Sequence, residues 1–216
     1  MKIGVFDSGI GGKAIAEALK PILENNTKII LINDQKNIPY GDKTASEIIR
    51  LTDNAIQPLL KKNCDIIIIA CNTATATAID NLREKYPNQK FVGIEPMIKP
   101  ASKLTKSKII AVCATPATLA SPRYKNLVKK FGAGLKIIEP NCSNWAKMIE
   151  NGQIDQKQIA KIVNNACNYG ADIIVLGCTH YCWIKDLVTD ICAGRAKVLE
   201  PSAAIGYRVK KILESC

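Results

Sequence analysis

Two segments of the chain end in a cysteine followed by polar side chains: Asp65-Ile-Ile-Ile-Ile-Ala-Cys71-Asn72-Thr73 and Asp172-Ile-Ile-Val-Leu-Gly-Cys178-Thr179-His180. A thiol placed after a strand and before a helix meets backbone N–H groups and the positive end of a dipole. Both favour thiolate relative to the ordinary cysteine pKa of about 8.5. A thiolate on one face of a small molecule and a thiol on the other form an acid–base pair. One takes a proton from carbon and the other delivers a proton to the opposite face, which inverts a stereocentre without a cofactor. A single base would tend to return the proton to the face it left. The competing reading of a free cysteine is a small buried hydrophobe, which suits Cys64, Cys113, Cys167 and Cys192. The polar residues that follow Cys71 and Cys178 argue against it at those two positions.

Two further constellations bear on cofactors. Cys178, His180 and Cys182 alternate, so on an extended segment they would share a face. Three ligands on one strand make poor tetrahedral geometry and no fourth is evident, so no metal is assigned. Asp7-Ser-Gly-Ile-Gly-Gly12 resembles a dinucleotide-binding turn, with Asp34 at the distance of a ribose contact. The spacing departs from Gly-x-Gly-x-x-Gly, however, and Asp7 would repel a pyrophosphate; it suits an ammonium group instead. No cofactor is expected, and a dinucleotide- or metal-binding α/β protein is the alternative from a different class. Pro39-Tyr40-Gly41 reads as a turn.

The elements that must position these groups alternate along the whole chain. Short apolar, β-branched runs at 2–6, 28–32, 65–70, 91–94, 109–113, 135–138, 172–176 and 196–199 predict strands. Helical spacing occupies 14–23, 46–61, 77–86, 121–131, 156–169, 183–192 and 203–214. That alternation predicts parallel sheets with helices on both faces. The second half repeats the first: residues 65–71 match 172–178 at an offset of 107, Val5-Phe-Asp-Ser8 matches Val112-Cys-Ala-Thr115 at the same offset, and Ile94-Glu-Pro96 matches Leu199-Glu-Pro201 at 105. The expected fold is α/β, with two pseudo-symmetric lobes, each a four-stranded parallel sheet flanked by helices. Ligands of open α/β sheets bind beyond the carboxyl ends of the strands. Facing lobes would therefore put Cys71 and Cys178 across one cleft.

Composition narrows the class. The 216 residues are 47% apolar and 23% charged, enough to bury a core. Nine cysteines beside a single histidine argue against a disulfide scaffold and against multi-histidine metal cages. The apolar runs are far shorter than the ~20 residues of a membrane helix, and Asp7 interrupts any signal-like region, so a cytoplasmic location is expected. The formal charge is +11, but the basic residues are scattered, as at Lys61-Lys62, Lys129-Lys130 and Lys210-Lys211, and aromatics are 5%. Solvated helix faces explain this better than a nucleic-acid surface.

Taken in order, Asp7-Ser-Gly-Ile-Gly-Gly12, Pro39-Tyr-Gly41, Ala70-Cys-Asn-Thr-Ala-Thr-Ala76, Ile94-Glu-Pro96, Ala114-Thr-Pro-Ala-Thr118 and Leu176-Gly-Cys-Thr-His-Tyr181 resemble the glutamate racemases of the aspartate/glutamate racemase superfamily. The resemblance spans Lys2 to about Tyr207. It implies a cofactor-independent enzyme that interconverts L- and D-glutamate for peptidoglycan synthesis, with a racemase of aspartate or another acidic amino acid as the near alternative. By the same resemblance Cys71 removes the α-proton of D-glutamate and Cys178 that of L-glutamate. Asp7, His180 and Glu150 assist the thiols. Ser8, Tyr40, Gly41, Asn72, Thr73, Thr115, Thr118 and Thr179 hold the substrate. It further implies a homodimer and a last helix returned to the first lobe, giving residues 1–95 with 202–216 as the lobe of Cys71 and 96–201 as the lobe of Cys178. Asn33-Asp-Gln-Lys-Asn37 departs from the family's Gly-Asp-Thr-Ala-Arg, Ser143 and Cys182 stand in place of prolines, and Lys13 replaces an apolar residue.

Overall fold

A computed structural model describes residues 1–23 and 26–214. The isoleucine-rich runs become strands because β-branched side chains suit a pleated surface covered on both faces. In β3 all four isoleucines, Ile66–Ile69, are wholly buried. The first lobe contains β1 (Lys2–Asp7), α1 (Gly11–Leu19), β2 (Lys28–Asn33), α2 (Ala45–Lys61), β3, α3 (Asn72–Lys85) and β4 (Lys90–Gly93). Then follow α4 (Ile98–Leu104), β5 (Ile109–Cys113), α5 (Pro116–Ala120), α6 (Pro122–Phe131), β6 (Lys136–Ile138) and α7 (Trp145–Glu150). The chain continues through α8 (Gln156–Asn168), β7 (Ile173–Leu176), α9 (Lys185–Cys192), β8 (Lys197–Leu199) and α10 (Ser202–Glu214).

The eight strands form two parallel sheets of the same order, β2-β1-β3-β4 and β6-β5-β7-β8. The internal repeat is reproduced down to single hydrogen bonds. The pairing of Ile3 with Ile66 recurs as Ile110 with Ile173. Ala70 N–H donates to the Phe6 carbonyl in one lobe and Gly177 N–H to the Cys113 carbonyl in the other, an offset of 107 on both sides. In each sheet the chain reverses its winding direction between the two central strands, and that switch point opens a crevice at their carboxyl ends. Asp7 ends β1 and Cys71 follows β3 in the first lobe. Cys178 follows β7 at the matching place in the second.

Both faces of each sheet are covered. Ile3, Val5, Ile66 and Ile68 pack with Ile15 and Leu19 of α1 and with Ile205 and Val209 of α10. The opposite face, with Phe6, Ile67 and Ile69, meets α2 and α3. In the second lobe Trp145, Ile159, Val163 and Val188 close over Ile174 and Leu176. Residues 215–216, which end the segment expected to join the first lobe and include Cys216, lie outside the described residues. Arg123 of α6 ties the lobes together on one flank, bonding to Glu95 and to both oxygens of Asp80 on α3 at 3.1 Å.

Elements differ from expectation mainly at their starts. Helix α3 begins at Asn72 rather than near 77, because Cys71 caps it, its Sγ accepting the Ala74 N–H. The Thr75 hydroxyl meanwhile returns to the Ile69 carbonyl at 2.8 Å. The short helices α4, α5 and α7 carry too few turns to leave a periodic apolar pattern. The segment 179–184 is a 3₁₀ turn and not extended, so Cys178, His180 and Cys182 do not share a strand face. No group of His, Cys, Asp and Glu suited to a metal occurs among the described residues.

Asp172, which opens the second copy of the repeated segment, joins α4 to β5. Its carboxylate accepts from the Thr105 hydroxyl at 2.5 Å and from the Lys106 and Ser107 N–H groups at 2.6 and 2.8 Å. Burial works to raise its pKa, but these hydrogen bonds outweigh burial and hold it below the usual carboxylate range. The bonds therefore stabilise the fold above the unfolded carboxylate pKa and are lost as pH falls through the lower folded value. Asp172→Asn should lose about 1–2 kcal/mol in urea unfolding at neutral pH. The difference between the two proteins should shrink as the solution is acidified.

Candidate active site

The first thiol is held by its own helix terminus. Cys71 Sγ accepts the Ala74 N–H at 3.4 Å and the Ser8 hydroxyl at 3.3 Å. The second sits differently. Cys178 makes no capping bond, and its Sγ lies 3.7 Å from His180 Nδ1. His180 Nε2 in turn lies 2.6 Å from Glu150 Oε2, at the end of α7.

Two carboxylates bridge the lobes. Glu150, in the second lobe, accepts the Ile10 N–H at 3.1 Å and the Gln35 amide at 3.3 Å from the first. Asp7, in the first, accepts the Thr179 hydroxyl at 2.7 Å and the Gly9 N–H at 2.8 Å. The glycine run is the seam that permits this approach. A Cβ on Gly9 would stand 2.5 Å from Glu150 Oε2, and one on Gly11 would stand 2.6 Å from Thr179 Oγ1. These glycines are filled by the opposite lobe rather than open to a phosphate. Asp34 is likewise engaged: it accepts the Tyr40 hydroxyl at 2.8 Å and the Asn37 amide at 2.9 Å, fixing the Pro39–Gly41 turn. The dinucleotide alternative thus loses both of its supporting features.

Between the lobes lies a cavity of about 240 Å³. Ser8, Tyr40, Gly41, Cys71, Thr73, Thr115, Glu150, Cys178 and His180 line it. Of the remaining candidates, Asp7, Asn72, Thr118 and Thr179 are buried around this wall rather than in it. Thr73, Thr115 and Thr118 form a hydroxyl cluster spanning the lobes, with Oγ1–Oγ1 distances of 2.9, 3.0 and 3.4 Å. Asn72 is 2% exposed, yet neither its amide oxygen nor its nitrogen has a hydrogen-bond partner. Such a group normally finds a partner, and Asn72 is an exception beside the cavity wall. Sequence reasoning missed Asp42, Lys147 and Asn151, which also line the cavity. Lys147 lies one helical turn before Glu150 and Asn151 directly follows it, and that was the only available signal.

The thiols are not the low-pKa groups that their strand-end position suggests. Burial, followed by the Asp7 carboxylate, pushes Cys71 up to about 11 against the opposing hydrogen bonds from Ser8 and Ala74. Burial and then the charge of Cys71 push Cys178 up as well. Asp7, fully buried, is raised chiefly by its own desolvation. The helix terminus works in the expected direction, but a 6% exposed thiol beside a carboxylate loses more to desolvation and repulsion than the dipole returns. Two thiolates across this cavity would repel each other, so the arrangement favours one thiol with at most one thiolate.

Comparison with known proteins gives a consistent picture. A family model described as Asp/Glu/Hydantoin racemase matches residues 13–204. The glutamate racemase of Clostridium perfringens strain SM101 is 38% identical over 216 residues, covering 98% of this chain and 83% of that protein. The crystal structure of Escherichia coli glutamate racemase, in complex with L-glutamate and the activator UDP-MurNAc-ala, superposes with a TM-score of 0.90 at 25% identity. It covers 99% of this chain and 82% of that one. The Francisella tularensis glutamate racemase in complex with D-glutamate gives a TM-score of 0.82 at 30% identity, over 99% and 81% of the two chains.

The raised thiol pKa has a direct consequence for the ligand-free protein. Alkylation of Cys71 by iodoacetamide should be slow at neutral pH and accelerate as pH rises toward about 11. Peptide mapping of the modified protein over a pH series checks this. Rapid, pH-independent labelling from neutral pH upward would show a preformed thiolate instead.

Proposed function

The chain belongs to the Asp/Glu/hydantoin racemase family and is an amino-acid racemase, and we propose that it interconverts L- and D-glutamate through two cysteines, without a cofactor. The observation that carries this reading is that Cys71 and Cys178, which stand at equivalent places in the two halves of an internal repeat, line one cavity. A near-symmetric pair of acids and bases suits a reaction whose substrate and product are mirror images at one carbon. One sulfur takes the α-proton while the other gives its own proton to the opposite face, so no separate electron sink is invoked.

In this reading Cys71 acts on D-glutamate and Cys178 on L-glutamate. The substrate ammonium offsets the negative field of Asp7, which lets one thiol ionise once the ligand is bound. His180 with Glu150 behind it steadies the Cys178 proton. Asp7 acts through Thr179 and through its field on Cys71. Ser8, Tyr40, Gly41, Asn72, Thr73, Thr115, Thr118 and Thr179 supply hydroxyl, amide and backbone groups for the substrate's polar ends. D-glutamate made in this way would feed peptidoglycan in the cytoplasm, with the enzyme acting as a homodimer. No helix among the described residues is long and apolar enough to cross a membrane. A preference for aspartate or another acidic amino acid is the competing assignment, and a substrate panel separates the two.

Incubation with L-glutamate in deuterated water should yield D-glutamate deuterated at the α-carbon, with no added cofactor, read by chiral chromatography and mass spectrometry. Cys71→Ser and Cys178→Ser should each lower racemisation by about 10²–10⁴-fold. Full activity in either would sink the two-thiol mechanism. Asp7→Asn removes a buried charge whose ionisation opposes folding at neutral pH, since its folded pKa is raised. It should therefore keep or raise the Tm while kcat falls by about 10²-fold.

A further inference from the structure

The cavity wall contains thiols, hydroxyls, two carboxylates and one ammonium. Lys147 is that ammonium: it lies on α7, in the second lobe, and lines the same cavity as Pro39–Asp42 of the first lobe. It is exposed, which sets it at the mouth rather than the floor. Among the described residues it has no ion pair or hydrogen bond from its side chain. The natural partner, three residues on in the same helix, is Glu150. That carboxylate is already committed, with Oε2 to His180 and the Ile10 N–H and Oε1 to the Gln35 amide.

An uncompensated positive charge therefore borders a cavity whose other charged lining groups, Asp42 and Glu150, would repel an anion. Hydroxyls such as those of Thr73 and Thr115 can hydrogen-bond a carboxylate but do not balance its charge. An amino acid with a neutral side chain carries no net charge for Lys147 to answer. One with a second carboxylate does.

We propose that Lys147 is a specificity-determining residue that attracts and pairs with a carboxylate of the acidic substrate at the mouth of the cleft. The inference rests on the acidic-amino-acid racemase reading above. Because the ammonium is solvated, its pull is subject to salt screening over about 10 Å at 0.1 M ionic strength. Its contribution appears in capture of the substrate and not in the proton transfers, which occur at the two sulfurs.

The test is steady-state racemisation of both glutamate enantiomers by the wild type, Lys147→Met, Lys147→Arg and Lys147→Glu, at low and high ionic strength and constant pH. Lys147→Met should raise KM about fivefold, the size of one exposed ion pair, with kcat within about twofold of wild type. Its KM should also depend less on salt. Lys147→Arg should restore the wild-type KM and salt dependence, and Lys147→Glu should raise KM further. A Lys147→Met enzyme with wild-type KM and wild-type salt dependence overturns the proposal, as does one that loses kcat at unchanged KM. In either case the racemase reading stands, because the wild type still turns over glutamate. Absence of α-proton exchange by the wild type on every acidic amino acid would instead overturn that reading, and this inference with it.

Discussion

The close approach of the two lobes along Asp7–Gly12 governs the rest of the site. Gly9 lies against Glu150 and His180, and Gly11 against Thr179, at distances that admit no side chain. Only this contact lets Asp7 receive the Thr179 hydroxyl and lets Glu150 receive the Ile10 N–H. Each of these carboxylates is thereby held by the opposite lobe. Opening the cleft would release both carboxylates from those bonds at once.

The same closeness determines the electrostatics. Excluding water raises both thiols and Asp7, and the negative field of Asp7 adds to the effect at Cys71. A cavity of this kind is poised against spontaneous ionisation and in favour of a ligand that brings its own positive charge. The unpartnered amide of Asn72 and the Thr73–Thr115–Thr118 cluster fit the same pattern.

Much of this was legible in the chain before folding. Buried parallel strands need continuous apolar runs, so all eight strands were visible, and residues 109–113 match β5 end to end. The repeat offset of 107 foretold the equivalence of the two sheets, because strands in the same register carry the same demands for burial. The start of α3 was less legible, since its first turn is Asn-Thr-Ala-Thr and is secured by a cap rather than by apolar spacing. The six-residue α7, which carries Trp145, Lys147 and Glu150, left no periodic trace. The conformation of the segment after Cys178 was left open, because alternation of polar and thiol residues cannot distinguish a strand from a 3₁₀ turn.

The sequence by itself determined the two-lobed α/β architecture and the pair of strand-end cysteines, because burial patterns and repeats are local, one-dimensional properties. It also placed Asp7, Glu150 and His180 among the candidates, through resemblance. Only the tertiary structure decided that Asp34 braces Tyr40, that the glycines seat the opposite lobe, that Lys147 borders the cavity without a partner, and that the thiols are raised rather than lowered. Those outcomes depend on distances across the folded chain, several of them between residues far apart in sequence, and on how much water remains beside a charge. Neither quantity exists until the lobes have closed on each other.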